Sequence, residues 1–175
     1  MSLYFDPVPL LADDRSGFYG KWEERKWLNV PGPFYGAETD NCGTGRLMAP
    51  RNVLYESEYF TEYVYRQPRD AEELRQLVEA AGEDPFGGYG CDGDDHWTPA
   101  AVRDWWRDRD RLLEHLRLGR AAWEEDDRIS GQGVAEAALD YAAYIDGELA
   151  RRLRVYMFWL EERRSPCPGD PLPRL

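Results

Sequence analysis

Two short segments hold most of the side chains able to do chemistry. The first, Glu38–Arg46, reads ETDNCGTGR. Its glycines let main-chain N–H groups approach an anion, and Arg46 supplies a guanidinium that can clamp a phosphate or carboxylate. Asp40 and Arg46 are therefore candidate ligand-binding residues of a Gly-rich loop, residues 36–46. Cys42 is a candidate nucleophile, provided a base stands beside it. No GK[ST] follows, so the segment is neither a Walker loop nor a dinucleotide fingerprint. The competing reading is a structured loop whose glycines serve only turn geometry.

The second segment, Gly90–Trp97, reads GCDGDDHW. Asp92, Asp94 and Asp95 offer the oxygen ligands a hard cation prefers, but a calcium loop needs a glycine at its sixth place and a glutamate at its twelfth. Neither is present, and Arg103 stands in the closing position, so no metal is assigned. The same acids also suit entry into a helix at Thr98, where negative charge favours the dipole. His96 is the candidate base for Cys42, with Asp94 or Asp95 as orienter. The second histidine, His115, lies among Leu112, Leu113 and Leu116 and reads as a core or boundary residue.

The elements that must position these residues differ along the chain. Residues 30–46 are broken by Pro31, Gly32, Pro33, Gly36, Gly43 and Gly45, which predicts a long loop or tight turns. Asn52–Gln67 is rich in Tyr, Val, Phe and Thr, with Tyr59, Thr61, Tyr63 and Tyr65 at period two, which predicts a β-hairpin. Tyr55, Phe34 and Tyr35 add to this aromatic set, which reads either as a packed sheet face or as a binding face. Asp70 with Glu73 forms a capping-box pattern before an apolar stripe, and Gly82 predicts its end. Thr98–Pro99 is an N-cap and first-turn pair for a helix that Gly119 should close. Apolar residues at three- and four-residue spacing predict one long final helix over 133–164. Its stripe is equally consistent with intrachain packing and with a homodimer. The four prolines of residues 165–175 predict an extended or disordered tail. The fold class is thus α+β: a small antiparallel sheet in a β- and loop-rich part (1–69), packed with a helical part (70–164), as one domain over 1–164.

Charge narrows the function. The chain has 175 residues and a formal net charge of -12, with a pI near 4.6. A general nucleic-acid binder is disfavoured, because affinity for phosphates rests on Lys and Arg. Residues 70–95 carry nine acids against Arg75 alone, a net of -8. Such a segment steers a basic partner. Glu72, Glu73, Asp92, Asp94 and Asp95 are the expected partner contacts. Three cysteines, with no CxxC, argue against a disulfide scaffold, a zinc site or an iron–sulfur cluster, and favour a reducing cytoplasm. No secretory leader and no apolar run long enough to span a membrane is seen. No cofactor is implied. Arginine outnumbers lysine 20 to 2, a bias expected of a GC-rich genome.

The strings KWLNVPGPFYGAETDNCGTGR, YVYRQP and GYGCDGDDHWTP resemble a family of small acidic actinobacterial proteins without an established function. The resemblance covers most of residues 17–107 and carries no catalytic residue. The expected function is a small acidic cytoplasmic protein-binding module, such as an inhibitor or an immunity- or antitoxin-type partner of a basic protein. The alternative is a small enzyme or ligand-binding domain that uses the Gly-rich loop together with residues 92–96.

Overall fold

In the computed structural model, residues 3–11 and 15–175 are described. Helices form where their signals are local. Asp70 caps α2 (Ala71–Glu83), its carboxylate accepting the Glu73 N–H at 2.9 Å. Glu73 reaches back to the Arg69 N–H at 3.0 Å, so the box closes one residue further out than the sequence pattern implies. Gly82 does not end this helix, which continues to Glu83. Thr98 accepts the Ala101 N–H at 3.2 Å and starts α4 (Pro99–Arg107) with proline in the first turn.

The expected hairpin is present. Strand β2 (Val53–Tyr55) pairs antiparallel with β3 (Glu62–Val64), with Val53 opposite Val64 and Tyr55 opposite Glu62. Tyr59, which completed the period-two pattern, lies in the connecting turn and is exposed. A second two-stranded ladder joins β1 (Tyr35–Gly36) to β4 (Tyr89–Gly90), and a bridge between Phe18 and Gly88 extends it. The short helix α1 (Thr44–Met48) begins inside the first chemistry-bearing segment, so the expected loop ends at Gly43, and α3 (Gly93–His96) lies inside the second. The fold is α+β, with both small sheets antiparallel.

The helical part departs from its pattern in two places. The stretch after Thr98 breaks at Asp108, which is both the last cap of α4 and the first of α5 (Arg109–Ser130). Helix α5 then runs straight through Gly119. That glycine is a seat rather than a stop, since a Cβ there would lie 2.7 Å from the Trp123 ring. The predicted long final helix is two helices, α6 (Val134–Asp146) and α7 (Leu149–Glu162). Gly147, with φ -112° and ψ -95°, leaves helical geometry between them. The start of α6 is capped from the preceding helix, with Asp127 accepting the Val134 and Ala135 N–H groups at 2.8 and 2.9 Å.

The hairpin is buried on both faces. Val53 and Val64 join Phe34, Leu74, Leu77 and Ala81 beneath α2. Leu54, Tyr63 and Tyr65 join Trp123, Tyr141, Ile145 and Leu153 of the helical layer. Three buried aromatics of the helical layer send their one polar hydrogen across the core. Trp123 Nε1 donates to Tyr55 O at 3.2 Å, Tyr141 to Leu28 O at 2.9 Å and Tyr156 to Asp94 Oδ1 at 2.6 Å. The proline-rich tail turns once at Pro168–Gly169, and its end is docked by arginines of α4 and α7. Arg154 donates to the Leu172 and Pro173 carbonyls and Arg103 to that of Arg174, while Leu175 packs on the main core. Among the described residues no helix is long and apolar enough to cross a membrane.

Trp123 is fully buried and bonded to the hairpin. Trp123→Ala is expected to cost about 3–5 kcal/mol, from the cavity and the stranded Tyr55 carbonyl. Urea denaturation of the two proteins measures it, and a loss under about 1 kcal/mol would contradict this account of the core.

Candidate functional site

The Gly-rich loop is locked rather than open. Glu62, 1% exposed, lies under it and accepts the Arg46 N–H on Oε1 at 2.8 Å and the Tyr89 hydroxyl on Oε2 at 2.6 Å. Gly45 makes this fit possible, since a Cβ there would come within 2.1 Å of the Tyr89 hydroxyl. The Glu62 N–H donates to Thr39 Oγ1 at 2.7 Å. Arg46 is itself 8% exposed, and its guanidinium donates to the main-chain carbonyls of Pro50, Val53 and Gln132. Asp40 is buried as well. Its carboxylate accepts the Cys42 N–H at 3.0 Å, and its own N–H donates to Asp84 at 3.1 Å. Asp40 and the main-chain bonds of Arg46 thus build the loop, and the expectation that this pair grips a ligand within it is corrected. Sequence reasoning missed Glu62 because one acid inside a strand pattern carries no mark of its burial.

Burial pushes the Glu62 carboxyl up to about 7, against the lowering effect of its Tyr89 and Arg46 hydrogen bonds. Burial likewise pushes Asp94 up to about 6, partly offset by Tyr156.

The candidate dyad is not assembled. Cys42 is exposed and unpaired. His96 bonds Asp92 through Nε2 at 3.1 Å, and its ring stacks on Trp22 at 4.7 Å and 11°. No hydrogen bond joins Cys42 to His96, so His96 serves as a packing and pairing residue. Asp94 is 8% exposed beneath Tyr156 and cannot act as orienter. His115 is half-buried against Trp27 and Trp123, and burial lowers its pKa.

The acidic segment divides into interior and surface. Glu73, Asp84 and Asp94 are buried, so Glu73 and Asp94 are corrected from partner contacts to internal bolts. Glu72 is exposed but held by Arg75, which also pairs with Glu79. Asp95 is exposed, and Asp92 is half-exposed. Hydrogen bonds from Tyr35 and His96 overcome partial burial and hold the Asp92 carboxyl below its ordinary range.

These surface acids belong to a ridge knitted from two segments distant in sequence. The Phe18–Gly88 bridge, the Tyr19 N–H on Gly87 O at 3.1 Å and the Gly20 N–H on Tyr89 O at 2.8 Å join them. The Tyr35 hydroxyl donates to Asp92 Oδ1 at 2.7 Å and lies 3.0 Å from Gly20 O. Asp84 fixes the next turn by accepting the Phe86 and Gly88 N–H groups. In these joined segments Tyr19 and Phe86 are 70% and 72% exposed, and Glu23, Glu83 and Asp95 are exposed acids on the adjoining chain. Sequence analysis did not single out Tyr19 or Phe86, because neither lies in a periodic pattern.

Among the described residues no group of three or more His, Cys, Asp or Glu side chains is placed to hold a metal ion. No protein-family model matches the chain, and no curated protein or solved structure is detectably similar to it.

Glu62 gives a pH dependence of definite sign. Its folded value, about 7, lies above the ordinary 4.5, so the native state keeps a proton that the unfolded chain releases between the two. The stability this contributes is full below 4.5 and is lost as pH rises to about 7. Relative to Glu62→Gln, which cannot titrate, the wild type should lose up to about 3 kcal/mol across that window. Urea melts at stepped pH test this, and parallel curves for the two proteins would refute it.

Proposed function

We propose that the protein is a docking module for a basic protein, of the inhibitor or adaptor kind, and that it binds through the Tyr19–Phe86 ridge. The observation that carries this reading is the joining of two remote segments that each expose a large aromatic side chain and carry exposed acids nearby in sequence. Aromatic side chains offer large contact area at low entropic cost, and they dominate binding hot spots. The flanking carboxylates of Glu23, Glu83 and Asp95 add charge complementarity to a cationic partner and speed its approach. The ridge is also rigid. Asp84 and the hydroxyl of Tyr35 hold its turns, so little freedom is lost on docking. Three cysteines without a disulfide support a reducing, cytoplasmic setting for the pair.

The test is affinity capture from lysate of the source cells, eluted by a salt gradient, with three baits. Wild type should retain one stoichiometric basic protein. Tyr19→Ala/Phe86→Ala should weaken retention by about thirtyfold, the cost of losing hot-spot aromatics. Glu83→Lys/Asp95→Lys should slow association and shift elution to lower salt. Equal capture by all three baits, or none by wild type, would overturn the proposal.

A further inference from the structure

A second surface carries the opposite charge. Between residues 46–69 and the start of α6 lies an open cleft of about 470 Å³. Arg46, Arg51, Arg66 and Arg69 line it. Facing them are Glu136 and Asp140 on the α6 wall, with the buried Glu73 meeting Arg69 at 3.3 Å and Arg51 at 3.9 Å. Glu148, paired with Arg152 at 2.7 Å, also acts on Arg66 and Arg69, so the cleft and its rim set five guanidiniums against four carboxylates, a local excess of positive charge in a chain of net -12.

The arginines are incompletely satisfied. Arg46 Nε and Arg66 Nε are buried without a hydrogen-bond partner, and so is Gln132 Oε1 on the same cleft. Buried polar atoms in folded proteins are nearly always bonded, and groups left unsatisfied point to an absent water or ion. Three such atoms lie on this one cleft, two of them on guanidiniums. Arg51 is the most available cation, because its side chain is 69% exposed and its contact with Glu73 is long. Arg66 is held in place by Asp140 at 3.0 Å and by the Tyr144 ring, 4.6 Å below its guanidinium. Arg46, bonded to three carbonyls, fixes the floor.

We propose that this cleft binds the phosphate group of a small anion, with Arg51, Arg66 and Arg69 as its ligands. Guanidiniums match phosphate oxygens with paired, charge-assisted hydrogen bonds, and a hydrogen phosphate also carries an O–H that suits an unpaired acceptor such as Gln132 Oε1. Asp140 competes for Arg66 when the cleft is empty. The site is separate from the Tyr19–Phe86 ridge and does not depend on its role.

Isothermal titration at constant ionic strength tests the proposal, with inorganic phosphate and glycerol 3-phosphate as probes. The tighter of the two tells the free anion from an ester. Saturable one-to-one binding is expected. Arg51→Ala should weaken it about tenfold, the value of a charge-assisted hydrogen bond. Asp140→Asn, which frees Arg66 and removes a repelling charge, should tighten it about threefold. Arg75→Ala, on the outer face of α2, should leave affinity unchanged. Because Arg51 and Asp140 are largely exposed, both variants should fold, as circular dichroism will verify. No saturable binding of either probe, or affinities that Arg51→Ala and Asp140→Asn leave unmoved, would overturn the proposal.

Discussion

The structure depends on one constraint: a long stretch of irregular chain lies inside the molecule, and its peptide groups must be bonded there. Residues 28–37 are all buried, yet only Tyr35 and Gly36 belong to a strand. A buried peptide group without a partner costs as much as a lost hydrogen bond or more. Side chains therefore take the place of a ladder. Asn29 does most, accepting the Gly36 and Val64 N–H groups at 2.8 Å and donating to the Lys26 and Gly36 carbonyls. Both acceptor sites and both donors of its amide are used, and they stitch β1 to β3. Gln67 does the same for Phe34 and Val30, Asn52 for Arg66, and Asp84 for Asp40 and Gly88.

This constraint explains why charge was the least readable property of the sequence. An acid counted along the chain reads as surface charge. Here Glu62, Glu73, Asp84 and Asp94 are turned inward to satisfy N–H or O–H donors. The apparent charge of residues 70–95 is thus partly structural cement. The same logic removes Arg46 from the role its position in a glycine-rich loop suggested. Its N–H groups go to carbonyls that no strand partner reaches. Nothing in the linear pattern separates such a residue from a ligand clamp, because the carbonyls that claim it come from two segments, one of them 86 residues away.

What was legible was local. The caps at Asp70 and Thr98, the hairpin and the α+β class all follow from signals a few residues wide, whose physics is complete within that window. Helix continuity was not legible, since it is decided by packing. Gly119 looks like a terminator until Trp123 is seated on it, and the apolar stripe across Gly147 continues although the backbone does not. Of the ridge, Asp92 and Asp95 were found from their clustering. Tyr19 and Phe86 were not, since the joining of their segments depends on a bridge that no periodicity connects.

Inward-facing acids also reconcile two surfaces of opposite sign on one small chain. Five buried carboxylates, those of Asp40, Glu62, Glu73, Asp84 and Asp94, are engaged by internal donors, and a group of arginines can hold a positive cleft locally. The two surfaces nevertheless work at different ranges. On the proposed reading, the overall negative field attracts a basic protein from beyond contact distance, within a Debye length of about 10 Å at moderate salt. The same field repels a phosphate from afar, so the arginine cleft must act through short, directed hydrogen bonds once the anion has arrived. Added salt therefore weakens approach at the ridge but eases it at the cleft, a contrast that follows from where the buried polar groups of the N-terminal half are spent.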